Sequence, residues 1–170
     1  MSVSLIVYTD RRQAYRPLDE VINRAIDGGA RLVVLREDDL SDRERRNLAD
    51  RLRTMLDGVG GRLLLAEGPE QRRCHNLGEL SAAAGDGVEF ATLSPIFPTR
   101  SKPGYGPPLG LAALARMAMA VPLPVYALGG VDSPGRVRDC LDECAAGVAV
   151  MGAIMRAEDP ARFVKELLNA

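Results

Sequence analysis

Two short glycine-bearing turns carry the residues best suited to chemistry on a phosphorylated ligand. The first turn is Leu128-Gly129-Gly130-Val131 and the second is Met151-Gly152-Ala153, and each follows an apolar run typical of a buried strand. Glycine lets backbone N–H groups approach an anion, and the start of a following helix adds partial positive charge. The pattern predicts a phosphate site formed by Gly129, Gly130, Met151 and Gly152. Tight strand-to-helix turns without a ligand are the alternative interpretation.

A long loop, Thr92–Gly110, is the second candidate for a ligand-binding element. It contains five of the chain's 11 prolines and one of its two lysines, Lys102. Proline fixes φ, so most of this stretch is predicted to be neither helix nor regular strand. Long irregular loops in compact domains are often functional, although an ordinary surface connection has the same composition.

Strand and helix patterns alternate along the chain and must position these turns and the loop. Apolar runs predict strands at residues 4–9, 32–35, 63–66, 88–93, 124–128 and 147–151. Helical patterns lie between them, and one opens on a capping box of Ser41 and Glu44. This alternation predicts a parallel sheet covered by helices, either open or closed into a barrel, with ligands at the carboxyl ends of the strands.

Length and composition exclude several classes of function. The chain has 170 residues, which predicts one domain over residues 1–170, and its net charge of −1 gives no reason to expect a nucleic-acid or anionic-membrane partner. It has neither a glycine-rich dinucleotide motif nor a P-loop motif. It also lacks an apolar run of about 18 residues, and its first residues lack a signal peptide's basic region, so we expect a cytoplasmic protein. Its three cysteines are predicted to be idle thiols rather than metal ligands.

Several segments together resemble the thiamin phosphate synthase and TenI superfamily, and the resemblance spans nearly the whole chain. It implies a (β/α)8 barrel. The segments that carry it are Tyr8-Thr9-Asp10, Leu35-Arg36-Glu37, Cys74 to Leu80, Leu93 to Thr99, Ser101-Lys102-Pro103, Gly106 to Gly110, Ala127 to Val131 and Gly147 to Met151.

The chain departs from the synthase pattern at the groups that handle pyrophosphate. Asp38 stands where the synthase has a lysine, and Ala66-Glu67 stands where it has Asn-Asp, whose aspartate serves Mg²⁺. No segment for a fourth barrel strand is found between Gly68 and Arg72, and about 30 to 40 residues are missing relative to the ~200-residue minimum of this fold. We therefore predict a truncated barrel of about seven strands. Without groups for Mg²⁺, synthase chemistry is expected to fail.

The resemblance then favours the TenI-like branch, a thiazole tautomerase that needs no metal or other cofactor. His75, the chain's single histidine, matches the position of the TenI-type catalytic histidine and is predicted to be the general acid/base. One alternative is a thiamin phosphate synthase, which joins a pyrimidine pyrophosphate to a thiazole phosphate and would require Mg²⁺. Another is a non-catalytic subunit that binds a phosphorylated ligand or a partner protein.

The remaining predictions concern the ligand and the missing strand. A small phosphorylated thiazole is the expected ligand. Arg36 would hold a substrate carboxylate through its guanidinium fork, with a salt bridge to Glu37 or Asp10 as the alternative. Thr99, Ser101 and Lys102 would line the ligand from the long loop. Residues 71–74 lack the apolar run of a core strand, so an open barrel would expose its edges. This predicts a homodimer that covers the gap between the third strand and the helix after His75.

Overall fold

The computed structural model describes residues 3–101, 103–104 and 106–170, so the predicted ligand residue Lys102 lies outside the described residues. Strands and helices alternate as the sequence predicts. The strands are β1 (Leu5–Tyr8), β2 (Leu32–Leu35), β3 (Arg62–Leu65), β4 (Gln71–Cys74), β5 (Phe90–Leu93), β6 (Val125–Leu128) and β7 (Gly147–Val150). The helices are α1 (Leu18–Asp27), α2 (Asp42–Asp57), α3 (Leu77–Gly85), α4 (Leu111–Met119), α5 (Pro134–Asp142), α6 (Gly152–Met155) and α7 (Pro160–Leu168).

The seven strands form one curled sheet in the order β3-β2-β1-β7-β6-β5-β4. Every neighbouring pair is parallel, and β1 pairs with β7 as the first and last strands of a closed barrel would. The prediction of a truncated barrel with about seven strands is confirmed. Since all strands run the same way, their carboxyl ends meet at one rim of the sheet.

Apolar side chains fill both faces of this sheet. The larger cluster lies between the outer face and the helices, where Val21, Ile22 and Leu52 are fully buried. A smaller cluster lies on the inner face, where Ile6, Tyr8, Val34, Leu64, Phe90 and Ala149 meet. Strands that are covered on both faces need continuous apolar runs, which is why β2, β5 and β7 were visible in the sequence.

The connection between β3 and β4 is the only one between described strands that lacks a helix. It consists of residues 66–70, which form turns. Parallel neighbours need a crossover of about a dozen or more residues, so five residues cannot bring β3 and β4 into register beside each other. Both strands are therefore edges of the sheet, and Leu65 at the end of β3 is 36% exposed.

The expectation that residues 71–74 are too polar for a strand of the barrel is wrong, because they form β4. It pairs with β5 alone, so only Gln71 and Cys74 are buried. The buried Gln71 amide is satisfied, since its Oε1 accepts from the Tyr8 hydroxyl at 3.0 Å and its Nε2 donates to the Ala66 carbonyl at 2.6 Å. Hydrogen bonds on the inner face thus replace the apolar run that a central strand would need.

Side-chain caps fix the first residues of two helices that follow the strands, α2 and α3. Ser41 and Glu44 form the predicted capping box of α2, and the Asn76 side chain accepts from the Glu79 N–H at the start of α3. The short helix α6 was not predicted. In the part of the chain that the structure describes, no helix has the length and apolar character to cross a membrane.

Candidate functional site

A cavity of about 1470 Å³ opens at the carboxyl ends of the strands. This volume exceeds the roughly 300–1,000 Å³ of a typical small-molecule site, so it has room for two small ligands. The structure brings together at this cavity every described residue of the predicted site: Arg36, His75, Thr99, Ser101, Gly129, Gly130, Met151 and Gly152.

The first glycine turn is held against the long loop by backbone hydrogen bonds. The N–H of Ile96 donates to the Leu128 carbonyl and that of Phe97 donates to the Gly129 carbonyl, both at 3.0 Å. Gly130 has a φ of 70°, and a Cβ there would lie 2.7 Å from the Cβ of Phe97. Only glycine fits this approach. The N–H groups of Gly129 and Gly130 donate no backbone hydrogen bond within the described residues, which leaves them available for an anion.

The second turn adds a cation that sequence reasoning missed. A Cβ on Gly152 would lie 2.5 Å from Nη1 of Arg156 and 2.6 Å from Oγ of Ser101, so both side chains lie over this turn. Both also bind Oε1 of Gln13, Ser101 at 3.0 Å and Arg156 through Nη1. The available signal was a basic residue one helical turn after Gly152. The turn predicted to bind phosphate therefore has a guanidinium group beside it.

Arg36 lies at the rim beside one carboxylate, that of Asp38, with which it forms a long ion pair but no hydrogen bond. Its side chain is 18% exposed, its Nη1 lies 3.3 Å from Sδ of Met151, and its Nε lies 3.8 Å from Oδ2 of Asp38. That buried Nε makes no hydrogen bond. The alternative salt bridges do not form, because Glu37 is paired with Arg11 at 3.1 Å and Asp10 with other side chains. Arg36 is thus a largely buried cation that lacks a hydrogen-bonded carboxylate.

His75 lies at the end of β4 on the cavity wall. Its backbone N–H donates to Oε2 of Glu79 at 2.7 Å, and its Nδ1 lies 2.9 Å from the Ser94 carbonyl oxygen. A carbonyl oxygen can only accept, so this contact places the ring proton on Nδ1. The imidazole is therefore oriented by the first residues of the long loop.

Tyr8 lies on the inner face beneath the cavity and is fully buried. Burial raises its pKa, and the charges of Arg73 and Arg36 oppose that rise. Both guanidinium groups are thus within electrostatic reach of the Tyr8 hydroxyl. The tyrosine appeared in the sequence only as part of a matching segment, with no role assigned to it.

The carboxylates near the rim do not form a site for the Mg²⁺ that a synthase implies. Within the described residues, no group of three or more His, Cys, Asp or Glu side chains could hold a metal ion. Glu67, at the position of the expected metal aspartate, is instead paired with Arg45 at 2.7 Å. Glu37 is 1% exposed and is used by Arg11. The described residues therefore contain no preformed cluster of Mg²⁺ ligands.

Comparison with known proteins gives the chain's relatives. The family model described as "Thiamine monophosphate synthase" matches residues 72–154. A Geobacter sulfurreducens protein provisionally named thiamine-phosphate synthase is 35% identical, with 97% of this chain and 92% of that protein covered. The thiamine-phosphate synthase of Roseiflexus castenholzii is 29% identical, with 96% and 86% covered. The solved thiamine phosphate pyrophosphorylase of Pyrococcus furiosus has the same fold, with a TM-score of 0.85, 23% identity and 97% and 93% covered.

The alignment lengths agree with a missing segment. The Geobacter alignment runs over 198 positions, whereas 97% of 170 residues is about 165, so about 33 positions of the alignment have no residue in this chain. In the structure, the short connection of residues 66–70 joins two described strands without a helix, which is consistent with a missing segment at that point.

One prediction about function is wrong. The sequence favoured a TenI-like tautomerase with His75 as its acid/base, but the relatives that match nearly the whole chain are named thiamine-phosphate synthases. The comparisons support the alternative better than the tautomerase. Identity of 35% over 97% of the chain and 92% of the relative decides the family. The chain belongs to the thiamine monophosphate synthase family.

Proposed function

We propose that the protein is a thiamin phosphate synthase that joins a pyrimidine pyrophosphate to a thiazole phosphate. The observation that carries this proposal is the 35% identity to the Geobacter relative over almost the full length of both chains. The size of the cavity supports it, since a synthase must hold two substrates at once. The order of the sheet supports it too, because both substrates would meet at one rim.

The thiazole phosphate would bind at the two glycine turns. The free N–H groups of Gly129 and Gly130 would donate to phosphate oxygens, and Arg156 would supply positive charge beside Gly152. The Ser101 hydroxyl, which already lies next to Gly152, would contact the same ligand. Thr99 lines the same cavity, and the proposal keeps it as a substrate contact.

Catalysis in this proposal is mainly positioning and charge stabilisation. The ring nitrogen of the thiazole donates its electron pair to the methylene carbon of the pyrimidine. The bond from that carbon to the pyrophosphate oxygen breaks, and its electron pair leaves with pyrophosphate. No proton has to move in this step, so the proposal needs no acid/base at His75. The chain must align the two reactants and stabilise the negative charge of the leaving group.

An assay of thiamin phosphate formation from the two substrates tests the proposal. We expect turnover by the purified chain, and we expect Arg156→Gln to raise KM for the thiazole phosphate at least about tenfold, since one charge-assisted contact to phosphate is lost. Arg116→Gln is the matched control, because Arg116 is an exposed arginine on α4 away from the cavity.

The outcome that contradicts a synthase is equally direct. If mass spectrometry finds no thiamin phosphate, with or without Mg²⁺, the proposed function is wrong. Thiazole phosphate that still binds in that case, with weaker binding in Arg156→Gln, would indicate the non-catalytic alternative.

A homodimer over the gap between β3 and β4 is also proposed. The two strands are edges of the sheet, and the nearby Leu65 and Leu77 are 36% and 43% exposed. Unpaired edges beside exposed apolar side chains are commonly covered by a partner. A monomer in sedimentation at micromolar concentration would contradict the dimer without affecting the proposed reaction.

A further inference from the structure

Arg73 on the edge strand β4 is a cation with no partner among the described residues. It is exposed and takes part in no hydrogen bond or ion pair there. Its neighbour Arg72, by contrast, bonds the Gly68 carbonyl and lies 3.8 Å from Asp86. Arg43, Arg46, Arg100 and Arg138 likewise take part in no hydrogen bond or ion pair among the described residues, and Arg100 lines the same cavity from the long loop. Arg73 differs from all four because it stands on a strand of the sheet.

The strand geometry directs Arg73 toward the cavity. Residues two apart on a strand project from the same face. Gln71 projects inward, because its amide binds the hydroxyl of the buried Tyr8. Arg73 therefore projects from the inner face as well, one residue before the strand ends, and it lines the cavity.

Arg36 approaches the same region from the opposite edge of the sheet. It follows β2, which neighbours the edge strand β3, and its buried Nε makes no hydrogen bond. A buried guanidinium N–H without an acceptor is costly, so an anionic ligand in the cavity would relieve that cost. Both arginines line the same cavity.

We propose that Arg73, together with Arg36, binds the pyrophosphate group directly and without a divalent metal. Two guanidinium groups carry the same total charge as one Mg²⁺ ion, and each presents a fork of N–H donors that matches phosphate oxygens. The described residues hold no preformed cluster of Mg²⁺ ligands, and in this proposal the two arginines neutralise the leaving group instead. This inference rests on the proposed synthase function for the identity of the anion.

Loss of the barrel's fourth strand explains why Arg73 has this access. Inner-face side chains fill the interior of a complete eight-stranded barrel. Here β4 has a strand on one side only, and its inner face borders a cavity of about 1470 Å³. The truncation thus makes room for a long basic side chain.

Calorimetric titration of the full chain with inorganic pyrophosphate tests the inference. We expect pyrophosphate to bind in EDTA about as tightly as in Mg²⁺. We expect Arg73→Gln to raise the dissociation constant in EDTA at least about tenfold, and Arg36→Gln to do the same, since each removes a charge-assisted donor pair. Arg116→Gln, which removes an exposed arginine on α4, should stay within about twofold of the unmodified chain.

Two results would overturn the inference. One is binding that appears only when Mg²⁺ is present, and the other is unchanged binding by Arg73→Gln in EDTA. Circular dichroism checks the fold of each variant; if Arg36→Gln does not fold, Arg73→Gln decides alone, because its side chain is exposed and unbonded. A chain that makes no thiamin phosphate but loses pyrophosphate binding in Arg73→Gln would contradict the synthase proposal and support the arginine site.

Discussion

The two parts of the chain on either side of residue 72 differ in how their strands are connected and in how closely their loops keep to the family pattern. Residues 72–154 match the family model, and each parallel strand there is joined to the next through a helix. The proposed phosphate contacts of this part are the backbone N–H groups of Gly129 and Gly130, which donate no backbone hydrogen bond within the described residues. Residues 3–71 contain the edge strand β3, the short connection to β4 and a rim where Asp38 and Glu67 replace the expected groups. A backbone site survives changes of neighbouring side chains, whereas a side-chain site must be rebuilt when its ligands are lost.

The largest effect should come from filling the glycine turn in residues 72–154. Gly130→Ala places a side chain at a φ of 70°, 2.7 Å from Cβ of Phe97 and against the Pro98 carbonyl. Left-handed strain costs about 1–2 kcal/mol and overpacking about 1–3 kcal/mol, so we expect a loss of roughly 3 kcal/mol in the free energy of unfolding. Urea unfolding measures it.

Gly60→Ala is the matched control in the other part of the chain. Gly60 has nearly the same φ, 69°, but a Cβ there would meet nothing within 4 Å. We expect it to lose only the strain, about 1–2 kcal/mol. Equal losses for the two variants would show that the contact between the long loop and Gly130 does not constrain the turn.

A second test asks how firmly the polar edge strand is attached. Tyr8→Phe removes the hydroxyl that donates to Gln71 at 3.0 Å and leaves a buried amide oxygen without that donor. An unsatisfied buried group costs about 1–3 kcal/mol, and urea unfolding should show a loss in this range.

Tyr126→Phe is its control. Among the described residues, the Tyr126 hydroxyl bonds only the exposed Ser4 hydroxyl, at 2.9 Å. Solvent can replace that bond, and we expect a loss of less than about 1 kcal/mol. If Tyr8→Phe is as mild as its control, β4 is not held by the inner-face hydrogen bond.

Strands covered on both faces could be predicted from the sequence because burial leaves a pattern. The apolar run of β2 was predicted at residues 32–35, where the structure has it, and the Ser41 capping box was also found. Strand β4 could not be predicted from its residues, because the stabilising contact of Gln71 comes from Tyr8, which is 63 positions away in the chain. Propensity and periodicity describe neighbours in sequence and not such a contact.

In the candidate site too, features set by residue type could be predicted, whereas features set by distant contacts could not. The glycine turns could be found because their conformational demand is visible in residue type. Arg156 was missed. Its spacing one helical turn after Gly152 was the available signal, but the contact that holds its side chain there comes from Gln13 in another segment. The reaction was misjudged because missing metal ligands were taken to exclude a synthase. The sequence did not show that Arg36 and Arg73 line the same cavity.

The third test uses two buried cysteines to compare how readily the edge strand β4 and the helix α5 unfold locally. Cys74 lies on the edge strand β4 and Cys140 on α5, and burial raises the pKa of the first to about 11 and of the second to about 12. Neither thiol should react with iodoacetamide at pH 8 until its segment opens. Because β4 pairs with one strand only, we expect Cys74 to be modified at least about tenfold faster. Peptide mapping by mass spectrometry follows both, and equal rates would contradict a weaker edge.

The smallest expected effect on stability concerns an ion pair between the loops after β1 and β2. There Arg11 donates two hydrogen bonds to Asp39, of 2.7 and 2.8 Å. These bonds hold the pKa of Asp39 below its ordinary value of 3.8. A lowered pKa in the folded state stabilises the protein above the ordinary value, and that contribution is lost as the pH falls through the lowered value.

Asp39→Asn should therefore lower Tm slightly at neutral pH, and the difference from the unmodified chain should shrink as the pH falls below 3.8. The effect is small because the pair is exposed to solvent. Asp27→Asn serves as the control, since Asp27 makes no side-chain hydrogen bond or ion pair within the described residues. A Tm difference for Asp39→Asn that stays constant down to pH 2 would mean that the ion pair with Arg11 is not its cause. The link between the loops after β1 and β2 would then rest on Glu37, which binds the same arginine from a buried position.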